Sequence, residues 1–169
     1  STGLTPMFND DGELASKNLP LINKGILKNT LINSRTAQEY KIDSNFAGSW
    51  EGLRAPVMET GNLNENDISQ TIDKGVLLNN LHYLNWSDNI GGRITGMTRY
   101  ACFWVEGGEI VAPIENMRFD DTIYNIFGGN LESVTNKSQF IPDTGTYSGR
   151  SFGGTNCPGI LLNSFSLTL

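Results

Sequence analysis

One histidine and two cysteines are all that 169 residues offer by way of strong metal ligands and imidazole or thiol chemistry. No HExxH-type pair and no Cys/His spacing surrounds them, which leaves no self-contained zinc or histidine-based hydrolytic motif. His82 stands between Leu81 and Tyr83 and reads as a half-buried packing residue of a strand. Two thiols are also too few for a disulfide framework. Cys102 lies in an apolar run as a small buried hydrophobe, while Cys157 falls in a Gly/Asn/Pro turn. Both read as free thiols of a reducing compartment.

Positive charge is equally thin. Twelve Lys and Arg, scattered along the chain, face 18 Asp and Glu, for a net charge of −6. Clustered basic residues are what nucleic-acid binding requires, so that class is set aside. No apolar run approaches the ~18 residues of a membrane helix. No basic stretch followed by an apolar one opens the chain as a signal peptide would. The first residue is not Met, and the polar, turn-like start reads as that of a piece of a longer protein.

Charged residues make up only 18% of the chain, while hydrophobic residues reach 38% and glycine adds 19 positions. Abundant Asn, Gly, Ser and Thr suit short strands joined by polar turns better than long charged helices. The expected class is α+β, mainly β. Antiparallel sheets would form a sandwich or barrel-like core with a few short helices, in one domain over residues 1–169.

Residues 100–105 are apolar or aromatic without a break, which predicts a strand buried on both faces. Glu106-Gly107-Gly108-Glu109 supplies the positive φ of a tight hairpin, and Ile110, Val111 and Ile114 return as a second strand. Pro113 belongs at an edge, a bulge or the strand's end. This hairpin is the expected centre of the core and carries no catalytic side chain.

Around it, Asn23-Lys24-Gly25 separates two apolar runs as a compact hairpin. Ser34 is placed to cap a short helix over residues 35–40, and residues 43–52 read as a loop. Pro56 marks residues 54–60 as an extended edge segment. Asn64-Glu65-Asn66-Asp67 predicts a helix start, with Ile68 and Ile72 on one face and Lys74-Gly75 at its end. Residues 76–86 read as one long strand, and Asn89-Ile90-Gly91-Gly92 as a turn into residues 93–98. Asp120 is predicted to cap a helix that presents Ile123, Ile126 and Phe127 on one face and stops at Gly128-Gly129. Strands over residues 132–140 and 160–169 complete the chain, separated by a Gly/Ser/Thr-rich stretch at 144–159.

Few residues invite a chemical reading. Asp120 and Asp121 are adjacent, point in different directions, and fit capping better than a paired carboxylate. Glu106 and Glu109 flank a turn and read as solvated. Residues 145–154 are the most site-like stretch, because clustered glycines let backbone approach a ligand and Arg150 suits a carboxylate. Ser148, Gly149 and Arg150 are the candidate substrate-binding residues. The stretch does not match a phosphate-binding P-loop, since no GK[ST] follows, and it reads equally well as an irregular surface loop. Taken alone, the residues also fit a stand-alone β-rich module for a small ligand or carbohydrate, with Trp50 or Trp86 as a stacking platform.

The order of motifs resembles the C-terminal half of the TldD/PmbA family over nearly the whole chain. Asn23-Lys24-Gly25-Ile26-Leu27-Lys28-Asn29-Thr30-Leu31, followed by Ser34-Arg35-Thr36-Ala37, is similar to its "ENGVLKN…L…R.TA" passage. Gly75-Val76-Leu77-Leu78 through Trp86 resembles its "kGlyv…lw" strand. Gly92 to Ile94, then Phe103-Trp104-Val105-Glu106-Gly107-Gly108-Glu109-Ile110-Val111-Ala112-Pro113-Ile114-Glu115-Asn116, resembles "Gdfs…gyliEnGEI..PV.n".

This resemblance implies a cytoplasmic peptide-cleaving assembly, also described as a modulator of DNA gyrase. It implies a partner subunit of the same family, in a hetero- or homodimer, around a cavity for unfolded peptide. The TldD-type subunit carries HExxxH upstream of the matched region, with two zinc-binding histidines, a glutamate as general base and a C-terminal-domain cysteine. The PmbA (TldE)-type partner lacks this set. Where TldD-type chains read roughly "DTGxxxCGK", this chain has Asp143-Thr144-Gly145-Thr146-Tyr147-Ser148-Gly149-Arg150, without the cysteine. Neither serine nor glycine replaces a thiolate on zinc. The expectation is therefore a non-catalytic, PmbA-like chain without a cofactor of its own, with zinc held by the catalytic subunit.

Overall fold

The computed structural model describes residues 5–147, 150 and 152–168. Eleven strands and four short helical segments alternate along them. They fall into two compact units, one of Ser1–Met58 and Gln139–Cys157, the other of Glu59–Ser138 and Pro158–Leu169. The α+β, mainly β expectation holds, with antiparallel sheets and no closed barrel.

In the first unit, β1 (Ile22–Asn23) and β2 (Ile26–Leu27) form the predicted hairpin. Lys24 at φ 50° and Gly25 at φ 76° make its two-residue turn. Helix α1 spans Ser34–Tyr40, but its cap is Asn33, whose side chain accepts from Thr36 N at 2.7 Å. Ser34 was expected there. It lies one residue inside the helix, and its hydroxyl donates to Glu13 at 2.6 Å instead. The loops of this unit are tied by Asn9, which is buried. Its Nδ2 donates to Glu13 and Ala47 O, and its Oδ1 accepts from Asp11 N and Glu13 N. A segment this short of regular hydrogen bonds needs such a side-chain hub to satisfy its backbone.

The second unit holds two sheets. One is three-stranded in the order β3 (Lys74–Leu78), β6 (Cys102–Glu106), β7 (Glu109–Pro113). The other is four-stranded in the order β11 (Leu167–Thr168), β8 (Arg118–Thr122), β5 (Arg93–Thr98), β4 (Leu81–Asp88). The predicted long strand over residues 76–86 is thus two strands in different sheets. The switch occurs at Asn79 and Asn80, where Asn79 Nδ2 donates to Ala101 O and Arg99 N donates to Asn80 O. Ala101, at φ 51°, turns the partner ribbon at the same level. Bent ribbons of this kind carry strands from one sheet to the next.

The Gly107–Gly108 turn forms as expected, at φ 58° and 82°. Burial of the hairpin is only half of what was predicted. In β6, Cys102 and Val105 are buried on opposite faces, at 3% and 0% exposure. Every residue of β7 is exposed, because β7 is the last strand of its sheet. Pro113 ends it, where a missing N–H costs no ladder bond.

The expected helix at residues 64–75 is reduced to two 3₁₀ turns, Glu65–Asp67 and Ser69–Thr71. Asn64 caps the first by accepting from Asn66 N, and Lys74 and Gly75 belong to β3, where pairing with Glu106 and Val105 outweighs helical preference. The helix after residue 120 is a single wide turn, Asn125–Gly129. The strands β9 (Leu131–Pro142) and β10 (Gly154–Leu162) pair with each other. Cys157 therefore lies in a strand and not in a turn, and the expected strand at 160–169 is split between β10 and β11.

Candidate functional site

The site begins with a misfit in β4. Its register on β5 runs from His82↔Met97 to Asn85↔Thr95, so Tyr83 and Leu84 both stand opposite Gly96. This is a β-bulge, and Tyr83 adopts φ 52° within it. Gly96 is required here. A Cβ would meet the Phe119 ring at 2.7 Å and His82 O at 2.9 Å. Phe119 fills that space as the fully buried centre of the sheet's inner face, its ring 5.0 Å from that of Phe165.

Strand β4 is also the outermost strand, hydrogen-bonded to a neighbour on one side only among the described residues. Tyr83, Leu84 and Trp86 are 66%, 56% and 58% exposed. Edge strands are ordinarily protected by Lys, Pro or an inward charge. Over its eight residues β4 has no Lys or Pro, and only the bulge at Tyr83–Leu84 and Asp88 at its end blunt the edge.

The sequence-predicted residues disperse. Ser148 and Gly149 lie outside the described residues, and Arg150 is exposed. His82 is half-buried as expected, its ring edge-on to Tyr83 at 4.3 Å and 3.2 Å from Arg99 Nη1. The Asp120/Asp121 capping expectation is corrected. Asp120 sits within β8 and pairs with Arg93 across the sheet, because the strand continues to Thr122. The wide turn that follows is tied by Thr122 Oγ1, which accepts from Asn125 N at 3.1 Å, and by Asp121. Burial would raise the Asp121 pKa, but hydrogen bonds from Thr122, Asn125 and Ser166 outweigh it and hold the carboxyl below its usual value. Glu106 and Glu109 are exposed, with Lys74 Nζ 3.7 Å from Glu106.

Among the described residues, no three His, Cys, Asp and Glu side chains come together. Both cysteines are free, and Cys102 Sγ lies within donating distance of Tyr100 O at 3.4 Å and Asn80 O at 3.7 Å. His82 has a guanidinium against its ring, a poor neighbour for a cation. No helix among the described residues is long and apolar enough to cross a membrane.

Fold and site together define a class: a mainly antiparallel β domain with open sheet edges and many exposed apolar side chains. The family model of the PmbA/TldA metallopeptidase C-terminal domain matches residues 1–169, and the chain belongs to that family. Its fold is similar to that of TldE from Thermococcus kodakarensis, at a TM-score of 0.76 and 20% identity over 96% of this chain and 36% of that one. A proposed modulator of a DNA gyrase from Thermotoga maritima follows at 0.71 and 19%, over 96% and 35% of the two chains. Another from Bacteroides thetaiotaomicron gives 0.69 and 18%, over 96% and 33%. The chain thus spans about a third of the length of these structures. No curated protein matches it by sequence.

Proposed function

We propose that residues 1–169 form the single C-terminal domain of a longer, cytoplasmic TldD/PmbA-like protein, a component of a metallopeptidase complex that cleaves unfolded peptides. The chain lines one wall of the peptide cavity and contributes to the interface with a family partner, which supplies the zinc site. The observation that carries this reading is β4, an edge strand with exposed Tyr83, Leu84 and Trp86 and no protective charge along its middle. Extended peptides add to such edges through main-chain hydrogen bonds, which tolerates varied sequence. Ser148, Gly149 and Arg150 are proposed as further peptide contacts.

The test uses the full-length protein assembled with its family partner and a fluorescently labelled unfolded peptide. Leu84→Lys places a gatekeeper charge on the edge and is expected to weaken binding about tenfold without lowering the unfolding temperature. Unchanged affinity in a folded variant overturns the proposal. A second reading, the small-ligand or carbohydrate module, retains support from Trp50 and Trp86, which are 95% and 58% exposed. Oligosaccharides put through the same titration separate the two, since saturable binding is expected only from a module.

A further inference from the structure

The outer face of the four-stranded sheet differs in charge from the chain as a whole. Cross-strand partners share a face. The pairs Asn85↔Thr95, His82↔Met97 and Met97↔Arg118 therefore put these five side chains on the face opposite Phe119. Arg93 lies on this face too and is neutralised by Asp120. At the other end, Arg99 and Arg118 lie within 4 Å of no carboxylate among the described residues, whereas the chain carries a net charge of −6. Arg99 is already engaged, against His82 and over the Tyr100 ring at 5.0 Å. Among the described residues, Arg118 is the cation of this face left without such a partner.

Arg118 borders a hollow of about 300 Å³ whose other walls are Tyr83, Asn85, Thr95, Gly96 and Met97. The bulge shapes it, because the extra residue re-aims Tyr83 to its rim. Met97 and Tyr83 are apolar surfaces beside a planar, permanently charged fork. The Asn85 amide spends a donor on Tyr83 O, and Thr95 Oγ1 donates to Phe119 O. The second amide N–H of Asn85 and the Tyr83 hydroxyl remain as donors beside apolar surface, and Arg118 supplies the only charge of these walls.

We propose that this hollow is a carboxylate subsite: Arg118 holds a carboxylate of a bound peptide, with an adjoining apolar side chain on Met97 and Tyr83. The inference rests on the peptide-binding reading above and adds a chemical preference to it. Guanidinium and carboxylate match in a two-point hydrogen-bonded pair, which a lysine ammonium does not reproduce. The carboxylate belongs either to a chain end or to an acidic side chain, and the two have the same chemistry at Arg118.

The experiment measures binding of three labelled peptides to the full-length protein assembled with its family partner. One has a free C-terminus and no acidic residue, one is the same peptide amidated, and one is amidated with an internal Glu. Arg118→Met is expected to cost about tenfold for whichever carboxylate peptide binds better than the plain amide, and nothing for the amide. Arg118→Lys should recover part of the loss. Arg35→Met, an exposed charge on α1, controls for net charge and should change nothing. Preference for the free C-terminus identifies a chain end, and preference for the internal Glu identifies a side chain. Equal binding of all three peptides, or an unaltered preference in Arg118→Met, overturns the subsite while leaving the peptide-binding reading intact. Failure of every peptide to bind the wild type overturns that reading, and the subsite with it.

Discussion

Asp121 is 3% exposed and accepts three hydrogen bonds, from Thr122 N at 2.7 Å, Asn125 Nδ2 at 3.1 Å and Ser166 N at 3.2 Å. Those donors stabilise the ionised form, so its folded pKa lies below the unfolded value of about 3.9. A depressed carboxyl contributes stability that is complete above the unfolded pKa and disappears as pH falls through the folded one. Glu13 acts in the same direction, held low by the Ser34 hydroxyl and then by Asn9. Asp121→Asn keeps the shape but turns an NH₂ toward a donor, and should cost about 1–3 kcal/mol at pH 7. Urea unfolding from pH 7 to pH 2 is the measurement. The gap between wild type and variant should begin to narrow below about pH 4, the unfolded value, and close only as pH falls through the lower, folded pKa. A gap that stays constant across that range would show that the Asp121 charge contributes nothing.

The elements are held by close approaches rather than by a large core. Only seven apolar side chains are buried among the described residues, Pro158 included, so each contact around Phe119 weighs heavily. Gly96→Ala should therefore destabilise by about 1–3 kcal/mol, since Phe119 cannot move without disturbing Phe165. A thermal unfolding temperature equal to that of the wild type would mean the sheet absorbs the methyl group. What was legible in the sequence follows from the range of the forces involved. The turns at Lys24–Gly25 and Gly107–Gly108 are set by local backbone preference, and both form where predicted. The break at Asn79–Asn80 depends on Ala101 and Arg99, some 20 residues away, and the apolar pattern runs on across it. The Gly, Asn and Pro around Cys157 predict a turn, yet pairing with β9 makes those residues a strand. The site was hidden for the same reason. Arg118 stands in a polar run, Arg118-Phe119-Asp120-Asp121-Thr122, that looks like a strand end followed by a cap. Only registry across three strands sets it beside Tyr83 and Met97.

For the molecule as a whole, the proposed assembly makes a testable assignment of the metal to one of its chains. The family's description includes metallopeptidase, and this chain matches the C-terminal domain over residues 1–169. Its described residues nevertheless gather no three ligands, and a thiolate alone does not define a zinc site. Cys157 is the only thiol with any exposure beyond the core level, Cys102 being spent inside β6. If Cys157 were a ligand, removing its sulfur would remove metal, because a serine hydroxyl binds zinc far more weakly than a thiolate. The expectation is the reverse. The full-length protein purified alone should be free of zinc by elemental analysis and inactive on unfolded peptide even when zinc is supplied. Assembly with its family partner should bring zinc and activity together, and Cys157→Ser in this chain should leave both unchanged. One zinc per chain in the isolated protein, lost in Cys157→Ser, would instead make this the catalytic subunit.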